Sequence, residues 1–245
     1  MALEQFDLVL HSITEITPKL RHLEFTRADG QALSFIPGQF MTLLLKNSAG
    51  ELKRRSYSLA NAPGEKTLAL AISYVEGGIA SEALFNLKIG ESIKAMGPAG
   101  RLVLQEEPAI KRYLLIGTGT GIAPYRAMLP QIAKRFQNDP HFKVDLILGA
   151  QYRPDLLYAA DFLSFAATHP RFEFHAALSR ESSTLAAHEH QGYVQTYFDS
   201  LHLHPTEDVV YLCGNPNMID DAFKILTEKG FASTNVRREK YISSN

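Results

Sequence analysis

The residues best equipped for chemistry lie in short segments, and the clearest is Gly117-Thr118-Gly119-Thr120-Gly121-Ile122-Ala123-Pro124. It follows the apolar run Tyr113 to Gly117 and leads into a helix-like pattern. Glycines let the backbone turn tightly and approach a ligand. Unpaired N–H groups at a helix start favour a phosphate, and Pro124 suits a first helical turn. The loop lacks the Gly-Lys-Ser/Thr ending of a Walker A motif and does not fit the usual G-x-G-x-x-G. Alone, Gly119, Thr120 and Gly121 point to a nucleotide or dinucleotide without saying which. The bland alternative is a structural glycine turn.

Nearby cations narrow the choice. The second strand of this half ends Gly149-Ala150-Gln151-Tyr152-Arg153, without the acidic residue that holds an NAD ribose in the standard scheme. Ser179-Arg180 directly follows the third strand, FEFHAAL. A hydroxyl and guanidinium forks match a phosphate dianion, so Ser179 and Arg180, with Arg153 beside them, are expected to meet the 2′-phosphate of NADP. Against this, the pair could be an ordinary surface Ser–Arg satisfied by Glu181.

The remaining groups are weaker. Cys213 is the single cysteine, which excludes an intrachain disulfide or a four-cysteine cluster from this chain alone. A lone buried cysteine is most often a small hydrophobe. His188/His190 and His202/His204 have i,i+2 spacing, but a metal site needs more ligands, so no metal is expected. No paired-carboxylate or Ser–His–Asp constellation can be read.

Two kinds of scaffold must hold these groups. Up to about residue 105 the chain reads as short strands: FDLVLHSI, KLRHLEFTR, QFMTLLLK, RRSYSLA, LALAISYV, ESIKAM and RLVLQ. Without a βα rhythm, they predict an antiparallel barrel or sandwich. One helix, with Ser81 as its N-cap-type residue, interrupts them after Gly77-Gly78. Near Glu106-Glu107-Pro108 the rhythm changes. YLLIG, VDLILGA, FEFHAAL and DVVYLCG alternate with helices at about 122–136, 156–167, 193–201 and 217–229, which predicts a parallel sheet covered on both faces. The expected domains are 1–106 and 107–245.

Bulk properties exclude several classes. Net charge is −1 over 245 residues, with 45% hydrophobic and 21% charged, so nothing argues for general nucleic-acid binding. No apolar run approaches the roughly 20 residues of a membrane span, and the N-terminus lacks a secretory pattern. A cytoplasmic monomer is expected.

Arg55-Ser56-Tyr57-Ser58 has the form RxYS, Gly77-Gly78-Ile79-Ala80-Ser81 precedes the barrel helix, and Cys213-Gly214-Asn215-Pro216-Asn217-Met218 ends a late strand. In this order, with the glycine loop, the chain resembles the ferredoxin–NADP+ reductase family in its compact bacterial form. The resemblance implies an N-terminal FAD-binding β-barrel with a capping helix and a C-terminal α/β NADP-binding domain. It places Arg55 on the FAD pyrophosphate, Tyr57 against the isoalloxazine, Ser58 near flavin N5, and Ser56 between them. Tyr74 and Val75 would run beside the flavin, and Gly78, Ile79, Ala80 and Ser81 would receive its pyrophosphate. Gly119, Thr120 and Gly121 would cradle the NADP pyrophosphate. Cys213 and Gly214 would approach the nicotinamide, and Tyr241 is a candidate for stacking on the flavin.

The implied reaction is hydride transfer between NADP(H) and FAD, followed by single-electron exchange with a small acidic carrier, ferredoxin or flavodoxin. Lys53 and Arg54 would supply a positive rim for that carrier. The alternatives are an NAD(P)H-dependent flavin reductase, an oxygenase reductase component, and a non-catalytic flavin- or nucleotide-sensing subunit.

Overall fold

The computed structural model describes residues 3–47 and 50–241. The chain forms two compact units. One comprises the described residues through Val103 together with Ala123–Met128; the other comprises Leu104–Ile122 and 129–241. Gln105 shows why they part before Glu106: its backbone carbonyl accepts the Tyr113 hydroxyl, and its N–H donates to Tyr211 Oη at 2.8 Å. The segment is thus already anchored on the second unit.

The first unit holds β1 (Glu4–Thr17), β2 (Leu20–Arg27), β3 (Phe40–Lys46), β4 (Leu52–Ser58), β5 (Thr67–Ser73), α1 (Ile79–Asn86) and β6 (Ser92–Ala99). The strands form one sheet in the order β4-β3-β6-β1-β2-β5, antiparallel throughout. A bridge between Leu59 and Leu70 links the two ends of that order. Alternation along β3 buries Met41, Leu43 and Leu45. They join Leu8, Leu10, Leu23, Phe25, Leu68 and Leu70 in one core, as period-two patterning requires. RLVLQ is not a strand: it is an irregular extended segment, although Leu102 and Leu104 are buried.

The second unit holds β7 (Arg112–Thr118), α2 (Ala123–Asn138), β8 (Lys143–Ala150), α3 (Ala159–Thr168), β9 (Phe172–Leu178), β10 (Glu189–Gln191), β11 (Asp208–Gly214), α4 (Pro216–Glu228) and β12 (Val236–Lys240). α2 thus begins in the first unit's set of residues. The sheet order is β10-β9-β8-β7-β11-β12, parallel throughout. The direction of strand progression reverses between β7 and β11, and ligands bind open α/β sheets beyond the strand carboxyl ends at such a point. The helix expected at 193–201 is 3-10 helix over Val194–Leu201, and α3 starts three residues later than its pattern suggested.

Candidate functional site

The RxYS segment lies on β4, paired with β3. Tyr57 faces Met41 and Arg55 faces Leu43 in register, so both side chains point to the same sheet face as the buried core residues. Tyr57 is half-buried against that core, and desolvation pushes its phenol up to about 12. It therefore stays neutral and presents an aromatic face. Arg55 donates to the carbonyl of Arg54 at 2.9 Å. Ser56 points the other way, within 3.0 Å of Thr42 Oγ1. Ser58 closes the strand and is buried.

Lys53 and Arg54, expected to form one basic rim, alternate across the strand. Lys53 is also paired with Glu51 at 3.0 Å. The rim is thus split, with Arg54 the exposed part.

Tyr74 and Val75 lead into α1 and are both exposed; Tyr74 meets Phe85 edge to face at 5.1 Å. Gly78 is the N-cap, so Ser81 is not. The helix starts three residues earlier than expected, and the buried Ser81 hydroxyl accepts the Val75 N–H at 2.7 Å. That bond folds the preceding turn back on the helix. A Cβ on Gly78 would sit 3.0 Å from Val75 O, so a side chain here would push the turn open by a few tenths of an ångström. The first-turn amides of Ile79, Ala80 and Ser81 have no intrahelical acceptor. A glycine-walled set of amides at a helix start fits an anion such as a pyrophosphate.

In the second unit the glycine loop makes a single 3-10 turn, Gly119–Ile122, before α2. Its glycines divide in role. Gly119 has φ +55° with open space where a Cβ would be; Gly121 has its Cβ position 2.6 Å from the Cys213 carbonyl carbon. Gly214 answers it across the gap, its Cβ position 2.6 Å from Thr118 O. Asn215 N–H donates to Thr118 Oγ1 at 2.9 Å. The two loops at the reversal point are therefore packed backbone to backbone. Gly119 and the half-exposed Thr120 remain open toward a ligand, which fits a nucleotide pyrophosphate.

Cys213 is fully buried, and its thiol is pushed well above its usual range, first by burial, then by the charge of Glu239. It is a neutral thiol hydrogen-bonded with Tyr241. Tyr241 N–H also donates to Gly214 O at 2.8 Å. Tyr241 thus sits at the carboxyl ends of β11 and β12, beside Cys213.

Arg153 and Arg180 differ sharply. The Arg153 fork grips Glu189 at 2.7 and 2.6 Å and also donates to Ser183 Oγ and Thr184 O. Glu189 has only 2% of its side chain exposed. Held chiefly by Arg153, its carboxyl is lowered to about 2. Arg180 is exposed, and among the described residues its backbone N–H is engaged by Gln151 O. Glu181 does not satisfy it. That carboxylate accepts the backbone N–H groups of Ser183, Arg153 and Ser182, and the first of these does most to lower it to about 2. Ser179 stays half-exposed at the end of β9, its hydroxyl 3.4 Å from Ala150 O. Sequence reasoning missed Glu189 because its role depends on the short strand β10, whose three residues carry no apolar pattern.

Both units match models of known domains. Residues 7–104 match an oxidoreductase FAD-binding domain, and residues 115–224 match an oxidoreductase NAD-binding domain. The chain is therefore an FAD-dependent NAD(P)H oxidoreductase. It is 31% identical to a ferredoxin–NADP reductase B of Sorangium cellulosum over 97% of this chain and 98% of that protein. It is also 30% identical to the toluate 1,2-dioxygenase electron transfer component of Pseudomonas putida, covering 98% of this chain and 68% of that one. The chain belongs to the ferredoxin–NADP+ reductase family, in its compact bacterial form.

Among solved structures, a cytochrome P450 reductase from Amycolatopsis superposes with a TM-score of 0.86 at 28% identity, covering 99% of this chain and 71% of that one. A ferredoxin NADP+ reductase from Neisseria gonorrhoeae, solved with FAD and NADP, shares the fold with a TM-score of 0.84 at 23% identity, over 97% and 99% of the two chains. No helix among the described residues is long and apolar enough to cross a membrane.

Proposed function

We propose that the chain is a ferredoxin- or flavodoxin–NADP+ oxidoreductase of the cytoplasm. The carrying observation is its near-complete mutual coverage with the Sorangium reductase, 97% and 98%. FAD supplies the ability to take a hydride and release electrons singly. The protein's own residues bind, orient and shield. Ile79, Ala80 and Ser81 offer amides to the FAD pyrophosphate, with Arg55 as its cation. The Tyr57 ring gives a flat apolar face at small entropic cost. The Ser58 hydroxyl orients the reacting edge, with Tyr74 and Val75 alongside.

Gly119 and Thr120 receive the NADP pyrophosphate. Arg180 and Ser179 take the 2′-phosphate, while Arg153 serves as a clamp on Glu189. Cys213 and Gly214 act as positioning residues through their backbone, since the thiol itself is buried. The partner is a small acidic carrier, attracted by Arg54.

The test is a spectrum of purified protein, the identity of its released flavin, and stopped-flow reduction by NADPH and by NADH. Arg180→Ala should erase most of the NADPH preference. Undiminished preference in that variant would reject the 2′-phosphate assignment.

The second reading is the reductase component of an oxygenase, supported by the toluate dioxygenase likeness at 30% identity. Cys213 is the only cysteine of these 245 residues, so this chain offers no cysteine set for an iron–sulfur cluster. Reduction rates with ferredoxin, flavodoxin and an oxygenase terminal component separate the two readings.

A further inference from the structure

The amino-terminal ends of the parallel strands, opposite the edge where the glycine loop lies, carry a cluster unrelated to either nucleotide. Asp145 on β8 and Glu173 on β9 are directly paired in register. Like charges side by side on neighbouring strands are unfavourable; Arg112, 3.5 Å from Asp145 Oδ2, offsets part of that repulsion. His175, two residues along β9, shares their face. Its Nε2 is buried and has no hydrogen-bond partner among the described residues. That nitrogen points at Asp145 Oδ1, 3.8 Å away, and Glu173 Oε2, 3.6 Å away. Both distances are too long for hydrogen bonds. They are close to the spacing of about 3.4 Å between ligand atoms of a tetrahedral site with bonds near 2.1 Å.

The surroundings support a metal ligand set. The other ring nitrogen, Nδ1, lies 3.1 Å from Tyr197 Oη, a partner that fixes the ring and leaves Nε2 to bind. Arg112 lies 3.5 Å from the second Asp145 oxygen, but its closer bond is to Asp208 at 2.5 Å. Arg171 spends its guanidinium on the carbonyls of Asp139, Phe142 and Phe136. Lys143 is exposed at the rim. A cavity of about 270 Å³ adjoins the cluster and leaves room for a water ligand.

We infer that Asp145, Glu173 and His175 form a site for a divalent transition metal of the zinc type, a staple between β8 and β9. Neither pair of histidines singled out in the sequence supplies a ligand. The site was illegible there because its residues are 28 and two positions apart, and only strand register brings them together.

The test uses the full-length flavoprotein, titrated with Zn²⁺ by calorimetry and with Co²⁺ by visible absorption, alongside thermal melting with and without Zn²⁺. Wild type should bind one equivalent and melt higher with metal. Glu173→Gln, at an exposed position, should weaken binding at least about tenfold; His175→Gln should abolish it and the Co²⁺ ligand-field bands. The double change His202→Ala/His204→Ala should leave binding intact. Flavin absorbance reports folding of each variant, and Glu173→Gln decides the matter if His175→Gln fails to fold. No saturable binding in wild type, or equal binding in Glu173→Gln, overturns the inference.

Discussion

Replacing Arg153 by Ala separates two jobs that the sequence alone could not tell apart, phosphate ligand and internal clamp. The guanidinium makes two charged hydrogen bonds to Glu189, whose side chain is 2% exposed. Without it, Glu189 keeps only the Ala186 N–H. Removing the guanidinium leaves the Glu189 carboxylate without its main partner, which is destabilising. Arg153 is itself 43% exposed, so solvent screens part of that cost. For a chain of this size the melting temperature should still fall by a few degrees.

The pH dependence gives a second handle on the same residue. A carboxyl lowered in the folded state stabilises above its ordinary value of 4.5 and loses that contribution as pH falls toward about 2. Without Arg153 the carboxyl loses its main depressing cause, so the stability gap between wild type and variant should narrow below about pH 4.5. Calorimetric melts at pH 7 and pH 4, with NADPH and NADH reduction rates on the same samples, make the assay. An unchanged melting temperature together with a lost NADPH preference would refute the clamp and return Arg153 to the phosphate.

Arg180→Ala should do the opposite: unchanged melting, and NADPH preference reduced by about 10- to 100-fold in the reduction assay, the worth of a charge-assisted phosphate contact. Gly121→Ala should destabilise by about 1–3 kcal/mol or more in denaturant melts, because its Cβ would meet the Cys213 backbone at 2.6 Å. Gly119→Ala has space around it, so its cost should be only about 1–2 kcal/mol from the left-handed backbone, with weakened NADPH affinity in binding titrations as its main effect. Ser58→Ala should keep its FAD but slow reduction by NADPH by about tenfold, equivalent to about 1.4 kcal/mol of lost orientation. The Cys213 thiol should resist a disulfide exchange reagent in the native protein and react on unfolding, since burial both shields it and keeps it protonated.

Apolar periodicity made the scaffold legible. YLLIG, VDLILGA, FEFHAAL and DVVYLCG are the inner strands β7, β8, β9 and β11, and covering both faces with helices forces such runs. β12, Val236–Lys240, did not show because an edge strand needs little apolar patterning: only Val236 is buried. Its charges are used sideways, Arg238 over the Phe223 ring at 3.6 Å and Lys240 on Asp220 at 2.6 Å. RLVLQ failed in the other direction. Leu102 and Leu104 bury their side chains, yet among the described residues no strand pairs with the segment, so alternation reported burial without a ladder.

Within the candidate sites, residue type marked where phosphate chemistry could occur but not which member of a group performs it. Gly119 and Gly121 are alike in sequence, yet one faces open space and the other the backbone of β11. Arg153 and Arg180 each follow a parallel strand, yet only one has a buried carboxylate waiting for it. In both pairs the deciding neighbour is far away in the chain, Cys213 for Gly121 and Glu189 for Arg153. Close approach at the strand-order reversal requires the first of these neighbours, and the β9–β10 pairing brings in the second. A local motif therefore supplies interchangeable parts, and the parallel sheet assigns each one to packing or to the ligand.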